Sequence, residues 1–267
     1  MESVTTVRLW LKIRPHLSGL VRFFHISLIE AKSERQSSYL GILWGPLSTL
    51  IFTLMLSLVF RHAQTISSAD FFLYVLAGYI LWSFISSTIS SSTNAIQKKL
   101  DFALHNNLSL PGLFYKLLID RLFAMGLDLI LLILALLLLK PTSLGYVVLL
   151  AFPLIVILAC VSIATAYLVN LAVILFPDLD AVFGVGIRFM FFASPVFWGA
   201  EGDVTGVRSL LVDYNPAAYF LNVFRQAFGI MPLDPFQWAI ALAMSLVLCG
   251  AGCIAFRRSE SFVRNLK

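Results

Sequence analysis

The chain has 267 residues, 60% of them hydrophobic and 12% charged, with a mean hydropathy of +0.91 and a net charge of +5. Soluble domains carry about 25% charged residues, so an ordinary globular domain is excluded. Where the charge sits matters more than its sum, because long uncharged runs recur from residue 39 onward.

Residues 7–35 predict an amphipathic helix lying along a membrane surface. Leu17, Leu20, Val21, Phe24 and Leu28 fall on one stripe, and Arg14, Arg22, Lys32 and Arg35 supply the polar side. Pro15 suits a helix start or a bend; the alternative is a disordered basic tail. No uninterrupted apolar core precedes residue 39, so no secretory signal is expected and insertion falls to the internal spans.

From Tyr39 to Phe60 run 22 residues without a charge, long enough at helical rise to cross a bilayer core of about 30 Å. This first span opens with Gly41 and Gly45, a small-residue pair that lets helices approach in lipid, followed by Pro46. The second span, 71–93, is rich in hydroxyls in its second half: Ser83, Ser87 and Ser91 on one line, Ser86 and Ser90 on the next. They suit close packing together with part of a passage wall. Residues 94–112 predict a polar cytoplasmic loop with a short helix, ending at Pro111-Gly112. The third span is 113–139, closed by Lys140-Pro141. The fourth is 144–175, broken at Pro153, and the fifth is the short 181–198. The stretch 199–234 is too long for a hairpin and too apolar for a free loop. Asn215-Pro216 reads there as N-cap and first helical residue of a helix that stops at Gly229, too short to span and so re-entrant or interfacial. The sixth span, 236–256, is halted by Arg257-Arg258.

With the N-terminus inside, the inner segments hold twelve Lys and Arg and the outer ones four, which predicts that both termini are cytoplasmic. The fold class is therefore all-α membrane protein: six transmembrane helices, an N-terminal amphipathic interface helix, and external re-entrant helices between spans five and six. The segments are 1–38 (interface), 39–256 (membrane domain) and 257–267 (cytoplasmic tail).

Catalytic signals are missing from the sequence. It has no G-x-x-x-x-G-K-[ST] loop, no HExxH and no GxSxG. Cys160, Cys249 and Cys253 lack metal-ligand spacing and read as small helix- or lipid-facing residues. His16, His25, His62 and His105 sit at membrane ends or in loops, with no carboxylate set around them. Charges inside spans are costly and usually functional, and four of them are candidates here. Asp120 and Arg188 lie at matching depth, where they can pair. Arg121 is the third, and Asp128, near mid-membrane, has no evident partner. No internal repeat of the kind found in ion-coupled carriers is present. Trp44, Trp198 and Trp238 fall near predicted interfaces, where belt residues belong. Trp82 falls at mid-span among serines. With Tyr74, Tyr79, Phe191, Phe192 and Phe197 it suits either a passage in which sugar rings stack on aromatic faces or tight aromatic packing between helices.

Several stretches together resemble the membrane subunits of bacterial ABC-2 type polysaccharide exporters, the Wzm-like permeases that move O-antigen or capsular polysaccharide. They are the opening motif from Arg35 to Leu47 (RQSSYLGILWGPL), the Ser194–Trp198 end of span five (SPVFW), and Asn215-Pro216 with Arg225 nine residues on. The basic tail fits too, and the match covers nearly the whole chain in order and spacing. The resemblance implies a homodimer enclosing a channel in the bacterial inner membrane. It implies two copies of a separate ATPase subunit that binds ATP and Mg, with no cofactor in this chain, and a lipid-linked polysaccharide as substrate. It would place Trp44, Phe52, Tyr74, Tyr79, Trp82, Ser86, Phe191, Phe197 and Trp198 along the channel. ATPase contacts would fall in 14–35 and 97–110, at Arg22, Glu30, Arg35, Lys98, Asp101, Phe102 and His105, and an external gate at Asn215, Pro216, Tyr219 and Arg225. Relatives often carry Arg-Asp after span four, where this chain has Pro177-Asp178, and the loop 100–110 departs from the family pattern. The other readings are an exporter of a drug or small lipid and, in another class, a membrane glycosyltransferase or ligase. The last would need acidic residues in an external loop, for which Glu201, Asp203 and Asp213 are the candidates. No nucleic-acid partner is expected.

Overall fold

The computed structural model of the chain describes residues 23, 25–29, 39–61, 66–97, 109–143, 145, 149–199 and 206–264. Among them are eight helices: α1 (Trp44–Phe60), α2 (Ser68–Ser90), α3 (Leu110–Leu139), α4 (Ala151–Leu175), α5 (Leu179–Ala193), α6 (Val207–Asp213), α7 (Pro216–Ala227) and α8 (Pro235–Arg264). The described residues contain no strand. Two compact units divide the chain, residues 1–45 and 46–267. In the first, residues 25–29 are helical, the Ser27 hydroxyl donates to the Phe23 carbonyl at 2.9 Å, and a 3₁₀ turn at Gly41–Leu43 leads to the exposed Trp44. The rest of the predicted 7–35 helix lies outside the described residues.

Gly41–Phe60, Ser68–Ser90, Leu110–Leu139, Ala151–Leu175 and Pro235–Ser259 are each long and apolar enough to cross a membrane. The stretch expected as a fifth span is shorter. Helix α5 has 15 residues, about 22 Å at helical rise against a core of about 30 Å. It ends because Ser194 turns extended (ψ 146°), the backbone that a following proline favours.

Helix α2 is the centre of the second unit. It has 61% of its apolar window buried, against 17–39% for the other four, and it packs on α3, α4, α5 and α7. Ser67 starts it: the Ser67 hydroxyl accepts the Asp70 N–H at 3.1 Å and donates to the Asp70 carboxylate at 2.7 Å. Lys140 then ties the end of α3 to that start through a 3.0 Å ion pair with Asp70. At the other end of α2, Arg121 of α3 bonds Ser91 and Ser92, so α2 and α3 run antiparallel. Helices α4 and α8 meet through small residues. A Cβ placed on Gly252 would lie 2.8 Å from the Ala164 Cβ, so glycine sets the closeness of that crossing.

Two sequence expectations change. Pro153 does not break a long span; it sits in the first turn of α4, where its missing N–H has no intrahelical role. Arg257-Arg258 marks the end of the apolar run but not of the helix, because α8 continues to Arg264 and arginine is a good helix former.

Candidate functional site

The first half of α2 carries a buried clamp. Asn215 caps α7, its side-chain oxygen accepting the Ala217 N–H at 2.9 Å, and its amide donates to Ser194 Oγ at 2.8 Å. Gly229, at φ 67°, closes the same helix: the Ile230 N–H reaches back to the Arg225 carbonyl at 3.0 Å. Between those caps Arg225 is fully buried. Its Nη2 donates to the carbonyls of Pro195 (2.7 Å) and Val196 (3.0 Å), and its Nε to the carbonyl of Tyr74 (3.1 Å). The guanidinium carbon lies 3.5 Å from the Tyr74 ring centroid. The Tyr74 hydroxyl donates in turn to the carbonyls of Pro195 (3.2 Å) and Trp198 (3.0 Å), and the Trp198 indole N–H to that of Phe192 (3.1 Å). Gly78 makes the room, since a Cβ there would stand 2.3 Å from Arg225 Nη2. Tyr74 and Trp198, expected along a channel, are thus both buried beside Asn215 and Arg225, expected in a gate. Tyr219 donates to the Asp213 carbonyl at 3.0 Å, and Pro216 is the first residue of α7.

Five other channel candidates come together. Phe52 lies tilted against Tyr79 at 4.8 Å between centroids, and Phe191 lies 6.3 Å from Phe52, 5.8 Å from Trp82 and 5.6 Å from Phe197. Phe60 and Phe192 extend the cluster through Phe197. Trp82 is buried, and it lines a cavity of about 420 Å³ with Ser86, whose hydroxyl donates to the Ser83 carbonyl at 3.1 Å.

The second half of α2 carries a polar network. Arg121 is buried and donates to Ser91 Oγ from both Nε (3.1 Å) and Nη2 (3.0 Å), to Ser92 Oγ (2.7 Å) and to Ser162 Oγ (3.1 Å). The serines pass their own protons on: Ser91 to the Ser87 carbonyl at 2.6 Å and Ser92 to the Thr88 carbonyl at 2.5 Å. Thr88 gives its proton to the Phe84 carbonyl (2.8 Å), so in its 3.1 Å bond with Ser162 it accepts. The cation therefore reaches the negative, C-terminal end of α2 through a layer of hydroxyls. Fully buried Lys116 pairs with Asp120 one turn on, while Arg188 is exposed on α5. The Asp120–Arg188 pair allowed by depth does not form, because Asp120 has a cation on its own helix. Asp128 is buried, and its Oδ1 has no partner among the described residues.

The ATPase-contact candidates Arg22, Glu30, Arg35, Lys98, Asp101, Phe102 and His105 lie outside the described residues, as do Glu201 and Asp203. No metal-holding group of His, Cys, Asp or Glu occurs among the described residues.

No family model matches the chain. It is similar to the O-antigen export system permease protein RfbA of Klebsiella pneumoniae, at 23% identity over 244 residues that cover 86% of this chain and 88% of that protein. A transport permease thus shares most of its length with this chain, and the five apolar helices agree with a multi-pass membrane protein. Sequence reasoning missed the role of Gly78, which no local pattern signals. It noted Arg121 and the serine lines separately without joining them.

Proposed function

We propose that the chain is the channel-forming permease of an ABC exporter that moves a lipid-linked polysaccharide, O-antigen or capsular in kind, across the bacterial inner membrane. It works as a homodimer with two copies of a separate ATPase that binds ATP and Mg, and both termini are cytoplasmic. Helix α5 serves as a short fifth span, completing six, with residues 1–38 as the interface segment and 257–267 as the tail. The observation that carries this reading is the similarity to an O-antigen export permease along most of both chains. Phe52, Tyr79 and Phe191 are the less buried rings of the aromatic cluster, and it is on these that sugar rings would stack. ATP binding in the partner would close the dimer and change the channel and the gate, formed here by α6 and α7. Because Arg225 bonds α7 to α2 and to the segment after α5, these would move as one body.

The test is reconstitution in vesicles. With its ATPase the chain should translocate lipid-linked glycan when ATP is supplied, and alone it should not. Trp82→Ala should weaken export with assembly intact. Uphill transport by the chain alone on a proton gradient would overturn the reading.

A further inference from the structure

Three helices turn one face each toward the same space. On α2 the facing pair is Trp82 and Ser86, on α4 Leu158 and Ser162, and on α5 Gly186 and Met190. Each pair is four residues apart and so shares a helix face. The start of α7 borders the space as well. The result is a half-open cavity of about 420 Å³, a size typical of ligand pockets, with no charged side chain in its lining.

Its chemistry restricts the occupant. Ser86 already donates to the Ser83 carbonyl, Thr88 to the Phe84 carbonyl, and Ser162 is bonded to both Thr88 and Arg121. Thr165 is the remaining hydroxyl in the lining. A buried water needs about two to four polar partners, which these walls do not offer. Because the space is open on one side, it is filled by what lies at its mouth, and bare apolar walls favour hydrocarbon over water there. Helices α2 and α4 are both of membrane-crossing length, so the material within reach is hydrocarbon. Uncharged walls whose polar groups are mostly satisfied complement an uncharged chain that seeks no hydrogen bonds.

We propose that the cavity between α2, α4 and α5 holds one acyl chain of a bilayer phospholipid, as a constituent of the folded protein. This holds whatever the transported substrate is.

The test uses the full chain in vesicles of phosphatidylethanolamine and phosphatidylglycerol, doped with a phospholipid that carries a diazirine at the end of one acyl chain. After photolysis, label should map to the cavity positions Trp82, Leu158 and Met190 as well as to exposed residues such as Leu134 and Leu138. Gly186→Leu puts a side chain into the cavity, and its Cβ meets no atom within 4 Å. Excluding about two methylenes of chain should lower cavity labelling about tenfold, while labelling at Leu134 and Leu138 stays constant. Gly184 is equally open but two residues away, on the other side of α5, so Gly184→Leu should label like wild type. Absence of cavity label in the wild-type protein overturns the proposal without reference to any variant. So does equal cavity labelling in Gly186→Leu. A photoreactive polyprenyl phosphate that labels the cavity where the phospholipid does not would assign the site to another lipid and reject this one.

Discussion

Two arginines are buried against the two ends of α2, about 25 Å apart along the helix from Tyr74 to Ser91, and they are held in opposite ways. Arg225 bonds backbone carbonyls, those of Tyr74, Pro195 and Val196. Arg121 bonds three serine hydroxyls, each of which hands a proton onward. A carbonyl cannot re-aim without moving the chain that carries it, whereas a hydroxyl turns about one bond. The Arg225 end is therefore a fixed joint among α2, the segment after α5, and α7. The Arg121 end is a joint where α2, α3 and α4 can shift by small amounts while their hydrogen bonds follow.

The difference is sharpest when each cation is removed. Arg225→Met leaves carbonyls facing a space no water reaches and strips the Tyr74 ring of its cation, so it should cost about 3–5 kcal/mol. In detergent it should show as loss of the folded, monodisperse protein. A variant that melts near wild type would break the contrast at once. Gly78→Ala attacks the same joint from the other side. Its methyl would lie 2.3 Å from Arg225 Nη2 and 2.9 Å from the Val196 carbonyl oxygen, and neither neighbour is free to give way. The expected loss is about 2–3 kcal/mol, as for an overpacked core, read as a fall in the melting midpoint.

The chain's legibility divides along the same line. The apolar runs that became the five spanning helices were plain, because crossing a bilayer takes about twenty predominantly apolar residues. The caps of α7 were plain too, since Asn-Pro and Gly are chosen for local backbone geometry. What the residues could not announce was partnership. Tyr74 and Trp198 looked like aromatic surface, yet their polar ends are used up on backbone carbonyls, and only the fold brings Pro195 to Tyr74 across 121 residues. The hydroxyl-rich end of α2 was visible as composition. Its purpose needed Arg121 from α3 and Ser162 from α4 to be placed beside it. The short α5 was overestimated because apolar residues continue past Ala193, although Pro195 has already ended the helix.

Removing the second cation should be milder. In Arg121→Met, Ser91 and Ser92 lose a donor but keep their own bonds to the Ser87 and Thr88 carbonyls, so no hydroxyl proton is orphaned. A loss of about 1–2 kcal/mol is expected, less than half that of Arg225→Met under the same melting conditions. Equal losses would mean that the hydroxyl layer is as rigid as the carbonyl clamp.

Ser162→Ala is the smallest test and the most discriminating for an adjustable joint. The substitution deletes the bond from Arg121 Nη1 and the one to Thr88, but Arg121 keeps Ser91 and Ser92, and Thr88 keeps the Phe84 carbonyl. If the remaining hydroxyls can turn, the vacated guanidinium donor is taken up again and the loss stays at or below about 1 kcal/mol, a midpoint shift of about 2–4 °C for a chain of this size. If they cannot, one N–H of a buried cation is left bare, and Ser162→Ala falls to the level of Gly78→Ala. That convergence would place both ends of α2 in one rigid body, and movement would then have to enter the bundle through α1 or α5 instead.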